Sequence, residues 1–257
     1  MNLRVITSVA LMLAVTSLYS CKKEKQSIYP PTNVVGNVNV NFDYVFGHNL
    51  LPWTIGTQYV HPMTGDTMTF TTFKFYVSNI KFKDSKGNWW SEPNSYHLVC
   101  NTCPEKANIK INNVPGGDYV EMQYTMGIDS AMNVSGVYNG DLTLGNGMFW
   151  DWNSGFIMLK AEGNSPNSTT GVFAFHLGGF TGSDNIVTIK NTNFDGKTMA
   201  ITNTKDAAVT LRVNPARLWH SVDGLSVRST VHMPGPIAKT MATDFYSNIS
   251  FLGLSYQ

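Results

Sequence analysis

The side chains of this chain best suited to chemistry are six histidines, a C-x-x-C pair and a segment rich in tryptophan and methionine. The histidines are His48, His61, His97, His176, His220 and His232. Imidazole binds copper, zinc, iron and nickel, and thioether sulfur favours copper(I). No H-E-x-x-H or H-x-H spacing occurs, so any metal site must be assembled from segments distant in sequence. His176 stands in an apolar stretch, opposite in parity to Phe173, Phe175 and Leu177, and an imidazole there needs a hydrogen bond or a metal. His48 extends the parity of Phe42, Tyr44 and Phe46, and His97 begins a strand beside Tyr96. His61, in His61-Pro62-Met63-Thr64-Gly65, reads as an exposed turn, whereas His220 and His232 lie in a less regular C-terminal part. In an extended Met148-Phe149-Trp150-Asp151-Trp152, residues Met148, Trp150 and Trp152 share one side, although Met and Trp are equally ordinary core residues.

Cys100 and Cys103 (Val99-Cys100-Asn101-Thr102-Cys103-Pro104) could be redox-active, a soft-metal site or a small-loop disulfide. No strand-to-helix pattern of thioredoxin type precedes them and no second C-x-x-C completes a zinc site. In an oxidising compartment the disulfide is the expectation. Enzyme chemistry finds little footing. Asp43, Asp129 and Asp151 are scattered carboxylates without an acid–base partner. G-x-S-x-G is absent, and Gly178-Gly179 lacks the rest of a dinucleotide fingerprint. A binder rather than an enzyme is therefore expected. A metal-free alternative is a glycan- or protein-binding lipoprotein using Trp53, Trp89 and Trp90 as stacking residues.

The first twenty residues read as an export signal: Arg4 supplies the positive start, and Val5 to Leu18 is an apolar run short for a spanning helix. It ends in Leu18-Tyr19-Ser20-Cys21, a lipobox pattern that makes Cys21 the expected lipidation site. Residues 21–35, opening Lys22-Lys23-Glu24-Lys25, read as a tether, which places the protein in the periplasm or on the outer membrane, lipid-anchored. Removing the signal takes one of 18 basic residues and leaves 17 against 17 acidic. A neutral chain with no basic patch excludes nucleic acid as a partner.

The elements that must position these groups are strands. Val38–Phe46 alternates cleanly, and Thr67–Phe82 is a long β-branched and aromatic run closed by Asp84-Ser85-Lys86-Gly87. Tyr96–Val99, Ala107–Val114, Asp118–Ile128, Phe156–Glu162, Gly171–Leu177, Asn185–Lys190, Met199–Thr202 and Ala207–Val213 bring the candidates to about ten. Turn chemistry about every ten residues indicates an all-β fold, an antiparallel β-sandwich with long loops. Ser130–Gly147 reads as a long loop. Pro236–Asn248 reads as one short C-terminal helix, with Ile237, Met241 and Phe245 on one face. Residues 36–257 form a single domain on this reading, with an extra C-terminal section from about Asn214.

Three segments carry a family resemblance, in this order along the chain: Phe73-Lys74-Phe75-Tyr76-Val77-Ser78-Asn79-Ile80, then M-x-W-x-W-x-S-G-F from Met148 to Phe156, then Phe173-Ala174-Phe175-His176-Leu177-Gly178-Gly179. Together they resemble the MbnP-like family of periplasmic and surface copper-binding proteins, known from methanobactin operons and from Bacteroidetes-type lipoproteins. The resemblance covers roughly Val38 to Leu177. It departs from the family's usual tyrosine at Phe156 and in the greater length of the chain. It implies a copper site of histidines together with a tryptophan oxidised to kynurenine by a di-haem partner enzyme resembling cytochrome c peroxidase. Carried onto this chain, the histidine is His176, with His48 and His97 as further ligands, and the tryptophan is Trp150 or Trp152.

Overall fold

A computed structural model describes residues 34–136, 138–152 and 155–257. The signal and residues 21–33 of the expected tether, with Cys21, lie outside the described residues, and the last tether residue, Val35, already opens the first strand. The first strands are β1 (Val35–Phe46), β2 (Leu51–Pro52), β3 (Gln58–Val60), β4 (Thr67–Asp84), β5 (Trp89–Ser91), β6 (Tyr96–Cys100), β7 (Ile109–Pro115) and β8 (Gly117–Met126). A four-residue helix, α1 (Ser130–Asn133), opens the long loop, which is otherwise built of turns and two 3-10 segments. There follow β9 (Phe149–Trp150), β10 (Gly155–Asn164), β11 (Val172–Gly178), β12 (Thr188–Asn193), β13 (Met199–Ile201), β14 (Ala207–Val213) and β15 (Thr230–Val231). Helix α2 (Pro236–Ser247) and β16 (Ser250–Tyr256) close the chain.

The fold is all-β and sandwich-like, as its patterning predicts. One sheet runs β16-β14-β1-β2 with β7 also on β1; the other runs β12-β8-β4-β10-β11-β15. Strand β4 is the spine of the second sheet. Along one edge it pairs with β10 and then β8, and along the other with β3, β6 and β5. The expectation of purely antiparallel sheets needs correction, because β1 pairs with β14 and β11 with β15 in parallel. Side-chain alternation is the same for either direction, and no hairpin joins these partners to fix it.

Alternation sends Phe73 and Phe75 of β4, Phe173 and Phe175 of β11, and Val38 and Val40 of β1 into one apolar core. The pairing of β4 with β8 shifts register between Ser78 and Lys81. There Asn79 takes a left-handed conformation (φ 53°) that Asn tolerates better than most residues. Pro236 starts α2, where its missing N–H costs nothing. The helix lays Phe245 edge-on against Phe73 (5.5 Å) and Phe75 (5.9 Å). Strand β16 then completes the smaller sheet beside β14. The section beyond Asn214 is thus woven into the core and sheet rather than appended to them.

Candidate metal centre

The outer face of the larger sheet carries polar side chains behind the apolar ones. Lys74, Lys160 and His176 are register partners on β4, β10 and β11, and all three are half-buried. Glu162 sits diagonally across from His176, within reach for a long side chain. His176 Nε2 lies 2.7 Å from Glu162 Oε1. That hydrogen bond is the main cause holding the Glu162 carboxyl down at about 2, against burial that opposes it. Because β15 runs parallel to β11 with Val231 opposite Phe175, the next residue, His232, comes alongside His176. The two Nδ1 atoms are 3.2 Å apart and the rings cross at 82°. Burial, and after it the neighbouring His176, push the His232 pKa below its ordinary value.

This arrangement fits a metal. A carboxylate bonded to one ring nitrogen fixes the tautomer and turns the other nitrogen's lone pair outward. Two imidazole ligands on a tetrahedral ion at about 2.0 Å stand roughly 3.3 Å apart, close to the observed separation. Glu162 is already committed to His176. No group of three or more His, Cys, Asp or Glu side chains converges as a ready metal cage among the described residues.

The tryptophans lie just along the strand. Trp150 is buried, with its six-membered ring over Gly178, where a Cβ would come 2.5 Å from Cζ3. Gly178 follows His176 by two residues on the same face, roughly 7 Å away. Trp150 also lines a cleft of about 280 Å³ with Gly179, Phe180, Thr181, Asp184 and Pro234. Its indole Nε1 has no hydrogen-bond partner among the described residues. Trp152 is 62% exposed, its ring 5.6 Å from that of Trp150. The shared Met-Trp-Trp side expected of an extended segment is not formed. Strand β9 covers only Phe149 and Trp150, Met148 is buried, and Trp152 stands in a turn. Lysines dock the preceding loop: Lys160 Nζ donates to the Gly147 carbonyl (2.6 Å) and Lys74 Nζ to that of Asn146 (3.3 Å). Desolvation lowers the Lys160 pKa.

The other expected ligands sit elsewhere. His97 is opposite Val77 on β6, across β4 from β10. That puts it three strand spacings across and three residues along from His176, roughly 17 Å away. Val77 follows the parity of Phe73 and Phe75, so His97 also belongs to the other face, where it bonds Glu92 at 2.7 Å. His48 is exposed in the turn after β1, which ends at Phe46 rather than continuing the parity. His61 is not in an exposed turn but buried, its Nε2 2.8 Å from the Ala216 carbonyl and its Nδ1 accepting from the Thr64 amide. Cys100 and Cys103 are joined to each other as a disulfide and offer no thiolate. Of the stacking candidates, Trp53 is buried among Tyr44, Phe70 and Phe73, and Trp90 lies parallel to Phe82. Glu162 and His232 were missed from sequence. Only the strand pairing discloses Glu162, and a two-residue strand gives His232 no periodic signal.

The MbnP family profile matches residues 35–234, from β1 through both histidines to the residue pair before α2. Among solved structures, MbnP from Methylosinus trichosporium is similar at a TM-score of 0.47 and 14% identity, covering 78% of this chain and 82% of that one. No curated protein matches. With the greater part of its length matched by the profile, and the three ordered motifs inside the match, the chain belongs to the MbnP family.

Proposed function

We propose that this protein binds or carries copper outside the cytoplasm, through His176 and His232, and is not itself a catalyst. One observation carries the reading: two imidazole Nδ1 atoms face each other at 3.2 Å, one of them backed by a carboxylate on its far nitrogen. Family membership supports copper as the metal. Imidazole accepts both oxidation states, and copper heads the order of divalent affinities at nitrogen donors. His232 takes the place that sequence alone assigned to His48 and His97. Trp150 and Trp152, beside the same strand, are the pair of which one is converted to kynurenine, and a di-haem peroxidase-like partner supplies the oxidation. The exposed Trp152 in contact with the buried Trp150 gives such a partner a surface to approach. The lipobox at Cys21 anchors the protein to a membrane leaflet. No helix among the described residues is long and apolar enough to cross a membrane.

Metal content and intact mass of protein purified from its native host test the reading together. Bound copper and a mass about 4 Da above that of the processed chain, the balance of oxygen gained and carbon lost, are expected. Protein with neither copper nor measurable affinity for it would refute the binding role. Copper at unmodified mass would keep the site and remove the partner.

A further inference from the structure

Three loops meet at the end of the sandwich, on the far side of Trp219 from β11. The Trp219 ring packs on Phe175 (5.1 Å) and, in the other direction, on His61 (6.2 Å). Asn214 bonds both the amide and the carbonyl of Gly47, at 3.1 and 2.8 Å. His61 is tied to the Ala216 carbonyl, fastening the His61–Met63 turn to the Pro215–Trp219 turn. Gly47 itself (φ 72°) lies so close to Pro62 that a Cβ would approach its ring to 3.2 Å. The result is a small cleft of about 40 Å³ lined by His48, His61, Met63, Arg217 and His220. That is room for an ion and a water or two.

His61 has both ring nitrogens committed, so it serves as the floor of the cleft and not as a ligand. His48, Met63 and His220 are all exposed at its rim. Met63 is 61% exposed while lining the cleft. We propose that His48, Met63 and His220 form a second, exposed site for copper(I). Two imidazoles and a thioether are a soft set that suits the monovalent ion. Arg217 adds to the selection, its Nη1 only 3.5 Å from His220 Nδ1. Its fixed positive charge opposes a divalent ion about twice as strongly as a monovalent one. The contact is long enough for His220 to turn away from it toward a metal. Resting on the copper role proposed above, an open, three-ligand site of this kind exchanges its ion readily, as an uptake point must.

Titration of the full mature chain with copper(I), under anaerobic reducing conditions against a chromophoric chelator, reads the site directly. Two equivalents are expected. The variant His48→Ala/Met63→Leu/His220→Ala loses the weaker one, and Met63→Leu alone weakens it at least tenfold while leaving zinc(II) uptake unchanged. All three side chains are exposed, so these variants should melt with the wild type. His176→Ala removes the other equivalent, which lets either site fail without the other. A triple variant that binds copper(I) as the wild type does would overturn the proposal. So would a wild type holding a single equivalent that disappears in His176→Ala.

Discussion

Adding one methyl group at Gly178 should move the tryptophan beside the proposed copper site, and by an amount that the structure sets. A Cβ there would stand 2.5 Å from Trp150 Cζ3, 2.7 Å from Cη2 and 2.8 Å from the Phe156 carbonyl oxygen. Carbon atoms pack at about 3.5–4.0 Å, so the ring must retreat by about 1 Å or more, against a strand neighbour that cannot follow it. The Gly178 backbone lies outside the left-handed region, so the cost of Gly178→Ala is steric and not conformational. Overpacking of this kind costs about 1–3 kcal/mol. For a domain of this size it lowers Tm by roughly 2–4 °C per kcal/mol. Thermal melts of the apo-protein should therefore shift down by roughly 2–12 °C, with a change in tryptophan emission. In a Trp150→Ala background the ring is gone and only the Phe156 carbonyl contact remains, so the penalty should shrink markedly. An unchanged melting temperature, or the same penalty in both backgrounds, would refute the placement of Trp150 over the strand that carries His176.

Three further outcomes are expected. Cys21→Ala should release the mature protein from membranes or stall its processing; fractionation identical to the wild type would reject the lipid anchor. Thiol labelling of protein purified without reductant should find neither Cys100 nor Cys103 free, and a stoichiometric thiol signal would contradict the disulfide. Asp129 is raised by burial, but its hydrogen bonds from Tyr96, the Met132 amide and Asn79 outweigh that and hold its pKa below the ordinary 3.8. The unfolded chain then takes up this proton at higher pH than the folded one. The stabilisation is therefore complete above about pH 4 and lost as pH falls through the lower folded value. Asp129→Asn should flatten that acid limb of the denaturation profile, and an unchanged acid slope would contradict the assignment.

Much of the scaffold was legible because alternation and turn chemistry are local. Val38–Phe46, Thr67–Phe82 and Ala207–Val213 reappear as β1, β4 and β14 with small shifts, and Pro236 starts α2. Strand direction was not legible, since β1 meets β14 across most of the chain. The site was half legible. His176 announced itself as a polar residue in an apolar strand, whereas its hydrogen-bond partner, Glu162, emerged only with the register of β10 and β11. His232 gave no signal either, because β15 contributes two residues and owes its place to tertiary packing. His48 was misplaced by extending a parity past Gly47, whose positive φ (72°) ends the strand's alternation. His61 looked like a turn residue and is one, but the turn folds inward onto Trp219 and Phe46.

The pairing of His176 with His232 is the centre of the account, and copper affinity in single-histidine variants tests it most directly. Competition titration of the tightest copper equivalent should show His232→Ala weakened by well over about 100-fold. That loss exceeds what removing an outer-shell partner of a metal ligand causes. His97→Ala, which disturbs only the Glu92 pair on the opposite face, should bind as the wild type does. A His232→Ala protein that holds its tightest copper unchanged, or a His97→Ala protein that loses it, would contradict the site.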